Sequence, residues 1–154
     1  MDDTIRALLD KDAIRDLIHA YCDHFDKAEA AEVAALFTED AVVDYGPEVA
    51  PLHGRTAILA QIEGGLAEFF AASSHHVSNV RIAFDGPDRA SSVCYLYAWH
   101  IYRESGAEGE LWGRYHHDLV RTADGWRFAR LELRGAGTRN FHRARMHPIG
   151  RRGG

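Results

Sequence analysis

Two polar stretches of the sequence carry residue types that could perform acid–base chemistry. Residues 73–79 supply His75 where a helical pattern gives way to an alternating one, and residues 21–26 end in Asp26. A carboxylate that holds one imidazole nitrogen leaves the other nitrogen free as a general base near neutral pH. We therefore predict that Asp26 and His75 form such a pair. The alternatives are a solvated carboxylate at a helix end and a histidine bonded to a backbone carbonyl.

Several polar side chains on the later, alternating segments could meet a substrate. Side chains two residues apart on a strand share a face, so Tyr115 and His117 are predicted to point the same way. If that face and the one carrying His100 line a single cavity with His75, the mixture of aromatic, aliphatic and imidazole groups is typical of a small-molecule pocket. The expected substrate contacts are Tyr21, Tyr45, His100, Tyr115, His117 and Arg134. The alternatives are tyrosines that only pack and an arginine that is a surface charge.

Metal and cofactor chemistry is not indicated by the sequence. His75, His100 and His117 could together make a three-imidazole site, but the chain lacks both the helical i, i+4 histidine pair and the Cys-x-x-Cys spacing. No glycine-rich phosphate loop follows a strand, and no Gly-x-Ser-x-Gly motif is present. Cys22 and Cys94 are expected to be reduced core thiols. We expect no metal and no cofactor.

The elements that must position these residues follow from periodicity. Apolar residues from Ile5 to Phe25 recur mostly at helical spacing, and Asp10 or Asp12 could cap a second segment after a short first turn. Two further helices and a short strand are predicted before residue 73, over 28–37, 56–71 and 41–45. Turn signals then separate four long strands, at about 75–84, 90–104, 110–122 and 126–136. Helices followed by a meander of strands predict an α+β fold.

Length and charge limit the remaining possibilities. The 154 residues suit one domain, and a net charge of -5 disfavours nucleic acid as a partner. No run approaches the roughly 18 apolar residues of a membrane span, and no secretory signal is evident, so a cytoplasmic protein is expected. The segment 137–154 carries a basic run and no clear element. It is predicted to be a solvated tail, or an arm covering the pocket mouth or a neighbouring subunit; the run consists of Arg139, Arg143, Arg145, Arg151 and Arg152.

A family resemblance spans about residues 5–136. It is carried by residues 13–26, 36–41, 54–55, 75–79 and 124–128, which together resemble the SnoaL-like branch of the nuclear transport factor 2 superfamily. The resemblance implies a cone-shaped α+β barrel, in which a strongly curved mixed sheet wraps around N-terminal helices. It also implies a cone domain over 1–136 with the arm, 137–154, as part of the same unit. Relatives of this kind commonly form dimers or trimers, so a homo-oligomer is expected.

The resemblance also suggests roles for individual residues. The pattern is most similar to scytalone dehydratases, hexachlorocyclohexane dehydrochlorinases and bile acid 7α-dehydratases, whose aspartate and histidine match Asp26 and His75. The bile acid enzymes add a tyrosine that matches Tyr21 and an arginine that matches Arg134, or Arg130 with a one-residue shift. The scytalone enzymes add matches to Tyr45 and His100. Two departures are Phe25, where the scytalone enzymes have a tyrosine, and Tyr21, where the dehydrochlorinases have a lysine.

These matches imply a cofactor-independent lyase that dehydrates a hydrophobic cyclic hydroxy-carbonyl compound. Its catalytic residues would be Asp26, His75 and Tyr21. An isomerase or polyketide cyclase could use the same pair of residues and differ only in the fate of the proton. A non-catalytic ligand-binding protein, or the small subunit of a ring-hydroxylating dioxygenase, is the alternative from another class.

Overall fold

Three helices precede most of a seven-stranded sheet, which confirms the α+β layout. The computed structural model describes residues 1–151, so Arg152 of the basic run lies outside the described residues. The helices are α1 Asp3–Asp26, α2 Ala30–Ala35 and α3 Arg55–Glu68. The strands are β1 Phe37–Asp44, β2 Leu52–His53, β3 Phe70–Phe84, β4 Arg89–Tyr102, β5 Glu108–Thr122, β6 Gly125–Arg139 and β7 His147–Pro148.

The sheet is mixed and open, with strand order β2-β1-β6-β5-β4-β3. Strands β3 to β6 form an antiparallel meander, whereas β1 runs parallel to β6. The arm contributes β7, which pairs in parallel with Arg134 and Gly135 of β6, beyond the stretch that β1 occupies. The arm is therefore attached to the sheet by backbone hydrogen bonds.

Irregular pairing bends the long strands around the first helix. The register shifts between Ser78 and Arg81 on β3 and twice between β5 and β6, and Asn79 has a positive φ of 54°. Such bulges kink a strand and increase its twist. Helix α1 consequently contacts both the edge strand β3 and the more distant β6.

Helix α1 is one continuous element, whereas the sequence predicted a short first turn and then a second helical segment. It begins after Asp2, whose carboxylate accepts a hydrogen bond from the Thr4 backbone N–H at 2.7 Å, and no break occurs at Asp10 or Asp12. Asp10 instead accepts hydrogen bonds from the indole of Trp126 at 3.0 Å and from Arg121 at 2.7 Å. Those bonds attach the middle of the helix to β5 and β6.

The buried face of α1 covers only part of the run of apolar residues in its sequence. Ile5, Leu8 and Leu9 were expected on that face, yet they are 52%, 61% and 56% exposed. The helix meets the core only from Ile14 onward. Its buried residues are Ile14, Leu17, Ile18, Tyr21 and Cys22.

No helix in the described part of the chain is long and apolar enough to cross a bilayer.

Two strands begin earlier than periodicity indicated. β1 starts at Phe37 rather than at residue 41, because Phe37 is fully buried and pairs with Phe128, with the two rings 5.2 Å apart. The polar residues 38–40 that follow Phe37 are therefore part of the strand. β3 starts at Phe70, which pairs with Tyr102, and α3 ends correspondingly at Glu68.

Two histidines are buried on the inner face of the sheet. His100 and His117 are 4% and 3% exposed, and burial lowers the pKa of each imidazole from 6.5 to about 3. His117 shares a hydrogen bond of 2.8 Å with Ser92 and stacks on Phe128 at 4.8 Å. Both imidazoles are therefore neutral near pH 7.

We expect Phe128→Ala to lower the free energy of unfolding by about 3–5 kcal/mol, because it removes a fully buried ring and leaves a cavity. Urea unfolding followed by circular dichroism measures the change. Trp112→Ala is the matched control, since that side chain is 38% exposed, and its loss should be clearly smaller. Equal losses for the two variants would contradict this description of the core.

Acid should weaken the fold through the buried histidines. The unfolded chain protonates these imidazoles near pH 6.5, while the folded chain does so only near pH 3. Stability is therefore fully present above pH 6.5 and falls as pH decreases toward 3. We expect His117→Gln to remove up to about 1.4 kcal/mol per pH unit of that slope, measured by urea unfolding at several pH values. An unchanged slope would show that His117 titrates alike in both states.

Candidate active site

A cavity of about 320 Å³ lies between the helices, the inner face of the sheet and the C-terminal arm. Its walls are mainly apolar, and the apolar lining includes Phe25, Ile62, Phe69, Phe70, Leu96, Leu111, Leu133 and Phe141. Polar side chains also reach it from separate elements, among them Tyr21, Tyr45, Glu48, Gln61, His75, His100, Tyr115 and Arg143. An apolar cavity with a few converging polar groups is the usual form of a small-molecule site.

Asp26 and His75 lie in contact at this cavity, as their residue types suggested. Nδ1 of His75 is 2.6 Å from Oδ1 of Asp26, and the His75 backbone N–H donates to Oδ2 at 2.8 Å. The Ser73 hydroxyl donates to Oδ1 at 2.8 Å. The last residue of α1 is thereby held by the first part of β3. The same histidine holds both carboxylate oxygens, so neither side chain can rotate without losing a bond.

The protonation of the pair follows from these bonds. Burial by itself raises the pKa of Asp26, but the hydrogen bonds and charge interaction with His75 and the bond from Ser73 outweigh it, so the pKa is lowered. An ionised carboxylate only accepts hydrogen bonds, so Nδ1 of His75 must carry the proton. In the neutral imidazole the lone pair is then on Nε2, the ring nitrogen without a protein partner among residues 1–151. A neutral His75 in this arrangement can accept a proton at Nε2.

The rings around His75 limit its contact with water. Phe25 lies edge-on to the imidazole at 4.8 Å and His100 at 5.5 Å, and only 6% of the His75 side chain is exposed. His100 stacks on Phe70 at 4.5 Å, and its Nδ1 is buried with no hydrogen-bond partner within residues 1–151. Because His100 is neutral, it can give or accept one hydrogen bond at the cavity without adding charge.

Three tyrosines form the adjacent wall. The hydroxyls of Tyr21 and Tyr45 share a hydrogen bond of 2.8 Å, and the ring of Tyr115 lies 5.6 Å from that of Tyr21. Burial raises the pKa of all three phenols, so they remain protonated. A protonated phenol pair can direct one O–H toward a substrate oxygen.

The structure places two of the expected substrate contacts outside the cavity lining. His117 lies behind the wall, stacked on Phe128 and bonded to Ser92, because the period-two pattern gives its face but not its depth. Arg134 pairs with Glu132 at 2.6 Å and with the Pro148 carbonyl at 3.3 Å, close to the arm. We therefore assign no substrate contact to either residue.

The alternative Arg130 also pairs with Glu132, at 3.1 Å, and does not line the cavity.

Within residues 1–151, no group of three or more histidine, cysteine or acidic side chains is placed to hold a metal ion. Cys22 and Cys94 are buried free thiols, and burial raises their pKa to about 12 and about 11. Neither is activated as a nucleophile.

The arm supplies site residues that sequence reasoning did not identify. Phe141, His142 and Arg143 line the cavity, and Arg143 donates a hydrogen bond of 2.7 Å to the Tyr45 carbonyl. Arg143 had been grouped only with the basic run. A covering arm was one of the expected possibilities, but the segment has no periodicity from which the inward residues could be chosen.

Comparisons with known proteins agree with this architecture. The SnoaL-like domain family matches residues 6–132. A Novosphingobium aromaticivorans protein provisionally named scytalone dehydratase is 35% identical, with a TM-score of 0.90 over 96% of this chain and 98% of that one. An uncharacterized Mycobacterium tuberculosis protein is 28% identical over 82% of this chain and 86% of its own length.

A hexachlorocyclohexane dehydrochlorinase, LinA-type3 from Novosphingobium barchaimii, shares the fold with a TM-score of 0.81 at 18% identity. The alignment covers 96% of this chain and 99% of that one. The chain is thus a member of the SnoaL-like family, with the cone-type fold of the nuclear transport factor 2 superfamily.

Proposed function

We propose that the protein is a cofactor-independent lyase that dehydrates a hydrophobic cyclic hydroxy-carbonyl compound. The observation that carries the proposal is the contact between Nδ1 of His75 and Asp26 at the wall of an apolar cavity. This contact leaves Nε2 as a base on a side chain that is only 6% exposed. The 35% identical relative, provisionally named scytalone dehydratase, supports the same class of reaction.

The proposed reaction removes the elements of one water molecule. Nε2 of His75 takes a proton from the carbon next to the carbonyl, and the electron pair of the C–H bond forms an enolate. The enolate electrons then form the new C=C bond as the C–O bond at the β carbon breaks. The departing hydroxide takes the proton back from the imidazolium and leaves as water, so neither a metal nor a cofactor is required.

Neighbouring groups stabilise the charges that develop. Asp26 stabilises the imidazolium and keeps the ring in one orientation, as the acid of a catalytic triad does. Tyr21 and Tyr45 form one linked hydroxyl pair, and one of their protons can hydrogen-bond the enolate oxygen. His100 is the remaining donor or acceptor near His75 and is suited to the leaving hydroxyl. Tyr21 is therefore proposed as the third catalytic residue.

The runner-up is an isomerase or polyketide cyclase that uses the same base. In an isomerase the imidazolium returns its proton to a different carbon, so mass is unchanged and deuterium enters from solvent. A purely ligand-binding protein would bind the same compounds without exchanging a proton.

The chain is also proposed to form a homodimer or homotrimer, an expectation from its family. Sedimentation velocity at micromolar concentration should show one species of two or three chains. A species with the 17.2 kDa mass of one chain would contradict this.

Substitution of the base tests the proposal most simply. We expect wild-type protein to convert a bicyclic β-hydroxy ketone such as 3-hydroxy-1-tetralone into its dehydrated product, followed by absorbance and mass spectrometry. His75→Gln should lower kcat/KM by roughly 10²–10⁴-fold, because it removes the general base. Asp26→Asn should lower kcat as well, since the amide can hold the wrong tautomer of His75.

The matched control is His76→Gln, because His76 is exposed on the opposite face of β3 and should leave turnover unchanged. Near-full turnover by His75→Gln would contradict the mechanism. Deuterium incorporation into unchanged mass, without loss of water, would favour the isomerase.

A further inference from the structure

Arg143 brings a positive charge to a cavity whose walls are mostly apolar. The residue lies in the arm between β6 and β7, and its guanidinium carbon is 5.3 Å from the centre of the Tyr45 ring. The Tyr45 hydroxyl in turn bonds that of Tyr21, so the charge lies on the wall that also carries the tyrosine pair. This position is separate from the contact between Asp26 and His75.

Within the described residues, Arg143 has no carboxylate in ion-pair contact, and the charge of Glu48 acts on it only from a longer distance. A guanidinium has five N–H donors, and the hydrogen bond to the Tyr45 carbonyl, at 2.7 Å, uses one of them. Within residues 1–151, no carboxylate oxygen lies within 4 Å of its nitrogens. Glu48, the acidic residue of the cavity lining, is instead 3.9 Å from Nε of Arg145. Glu48 therefore interacts with two arginines, and its single negative charge cannot neutralise both.

The guanidinium of Arg143 is expected to bind a negatively charged group. Burial lowers the pKa of the Arg143 guanidinium, but arginine stays charged at any physiological pH. Arg143 is partly buried, and pairing with an opposite charge offsets the unfavourable loss of water around a charged group. The bond to Tyr45 attaches the arm to the loop after β1, yet it satisfies neither the charge nor the other donors. An anionic ligand group would satisfy both.

We propose that the substrate carries a carboxylate on its ring system and that Arg143 binds this carboxylate. The planar guanidinium fork matches the two oxygens of a carboxylate, and the aromatic and aliphatic walls match a ring of one or two cycles. The inference rests on the proposed function only in taking this cavity as the substrate site. It narrows the substrate class to cyclic carboxylates and makes Arg143 a specificity-determining residue.

Two ligands of nearly the same shape, one charged and one neutral, test this inference by binding, without any reaction. Isothermal titration calorimetry compares 2-naphthoate with 2-naphthamide on the full-length protein. We expect the carboxylate to bind wild type roughly 10- to 100-fold more tightly, the range of a charge-assisted hydrogen bond. Arg143→Gln should abolish that preference and leave the affinity for the amide within a few-fold, while Arg143→Lys should keep part of it.

Arg145→Gln is the matched control, because its side chain is 72% exposed and lies on the same arm. It should retain the preference of wild type. The inference is overturned if the amide binds as tightly as the carboxylate, if neither probe binds wild type at millimolar concentration, or if Arg145→Gln removes the preference as fully as Arg143→Gln does. Thermal unfolding of each variant verifies that the arm substitutions leave the protein folded.

The same titration separates this inference from the proposed lyase activity. His75→Gln lacks the proposed base but retains Arg143, so it should keep the preference for 2-naphthoate. If 3-hydroxy-1-tetralone and a ring carboxylate of it both remain unconverted while the Arg143-dependent preference is present, only the reaction is wrong. If turnover is present and naphthoate and naphthamide bind alike, only the carboxylate inference is wrong.

Discussion

The arrangement of this protein depends on one contact between residues 49 positions apart, the carboxylate of Asp26 and the imidazole of His75. One residue uses its backbone N–H and its ring N–H to hold both carboxylate oxygens, which fixes the tautomer and the orientation of the base together. For the contact to form, the end of α1 must reach the first residues of β3. The packing of α1 from Ile14 to Cys22 against the curved sheet meets that requirement.

The low polarity of the cavity around the pair suits the base that we propose. A general base is more effective where water does not compete for its lone pair, and here Phe25 and His100 flank the imidazole. Burial keeps the nearby tyrosines protonated and His100 neutral, so each offers hydrogen bonds without a competing charge. The positively charged residue of the lining, Arg143, comes from the arm and not from the elements that carry Asp26 and His75.

Sequence patterns predicted the contact but not the full site. Asp26 and His75 could be paired because each lies where a periodic pattern of the sequence changes, and because the family match aligned both. The depth of His117 could not be predicted, since alternation gives a face and the local curvature decides what reaches the cavity. Arg143 gave no signal, because hydrogen bonds from an irregular arm to the loop after β1 leave no period in the sequence.

Helix α1 shows a similar limit. Its apolar spacing continues through Ile5, Leu8 and Leu9, but only tertiary structure shows that the packed core begins at Ile14. The early starts of β1 and β3 likewise reflect pairing partners far along the chain, Phe128 and Tyr102, which local pattern does not contain.

The central claim is that Asp26 holds His75 with its proton on Nδ1 and its lone pair on Nε2. Nitrogen-15 NMR of protein labelled at histidine, at a pH where the imidazole is neutral, reports which ring nitrogen carries the proton. We predict a protonated Nδ1 and an unprotonated Nε2 for His75 in wild type, with that preference lost in Asp26→Asn. A wild-type His75 protonated at Nε2, or a tautomer unaffected by Asp26→Asn, would contradict it.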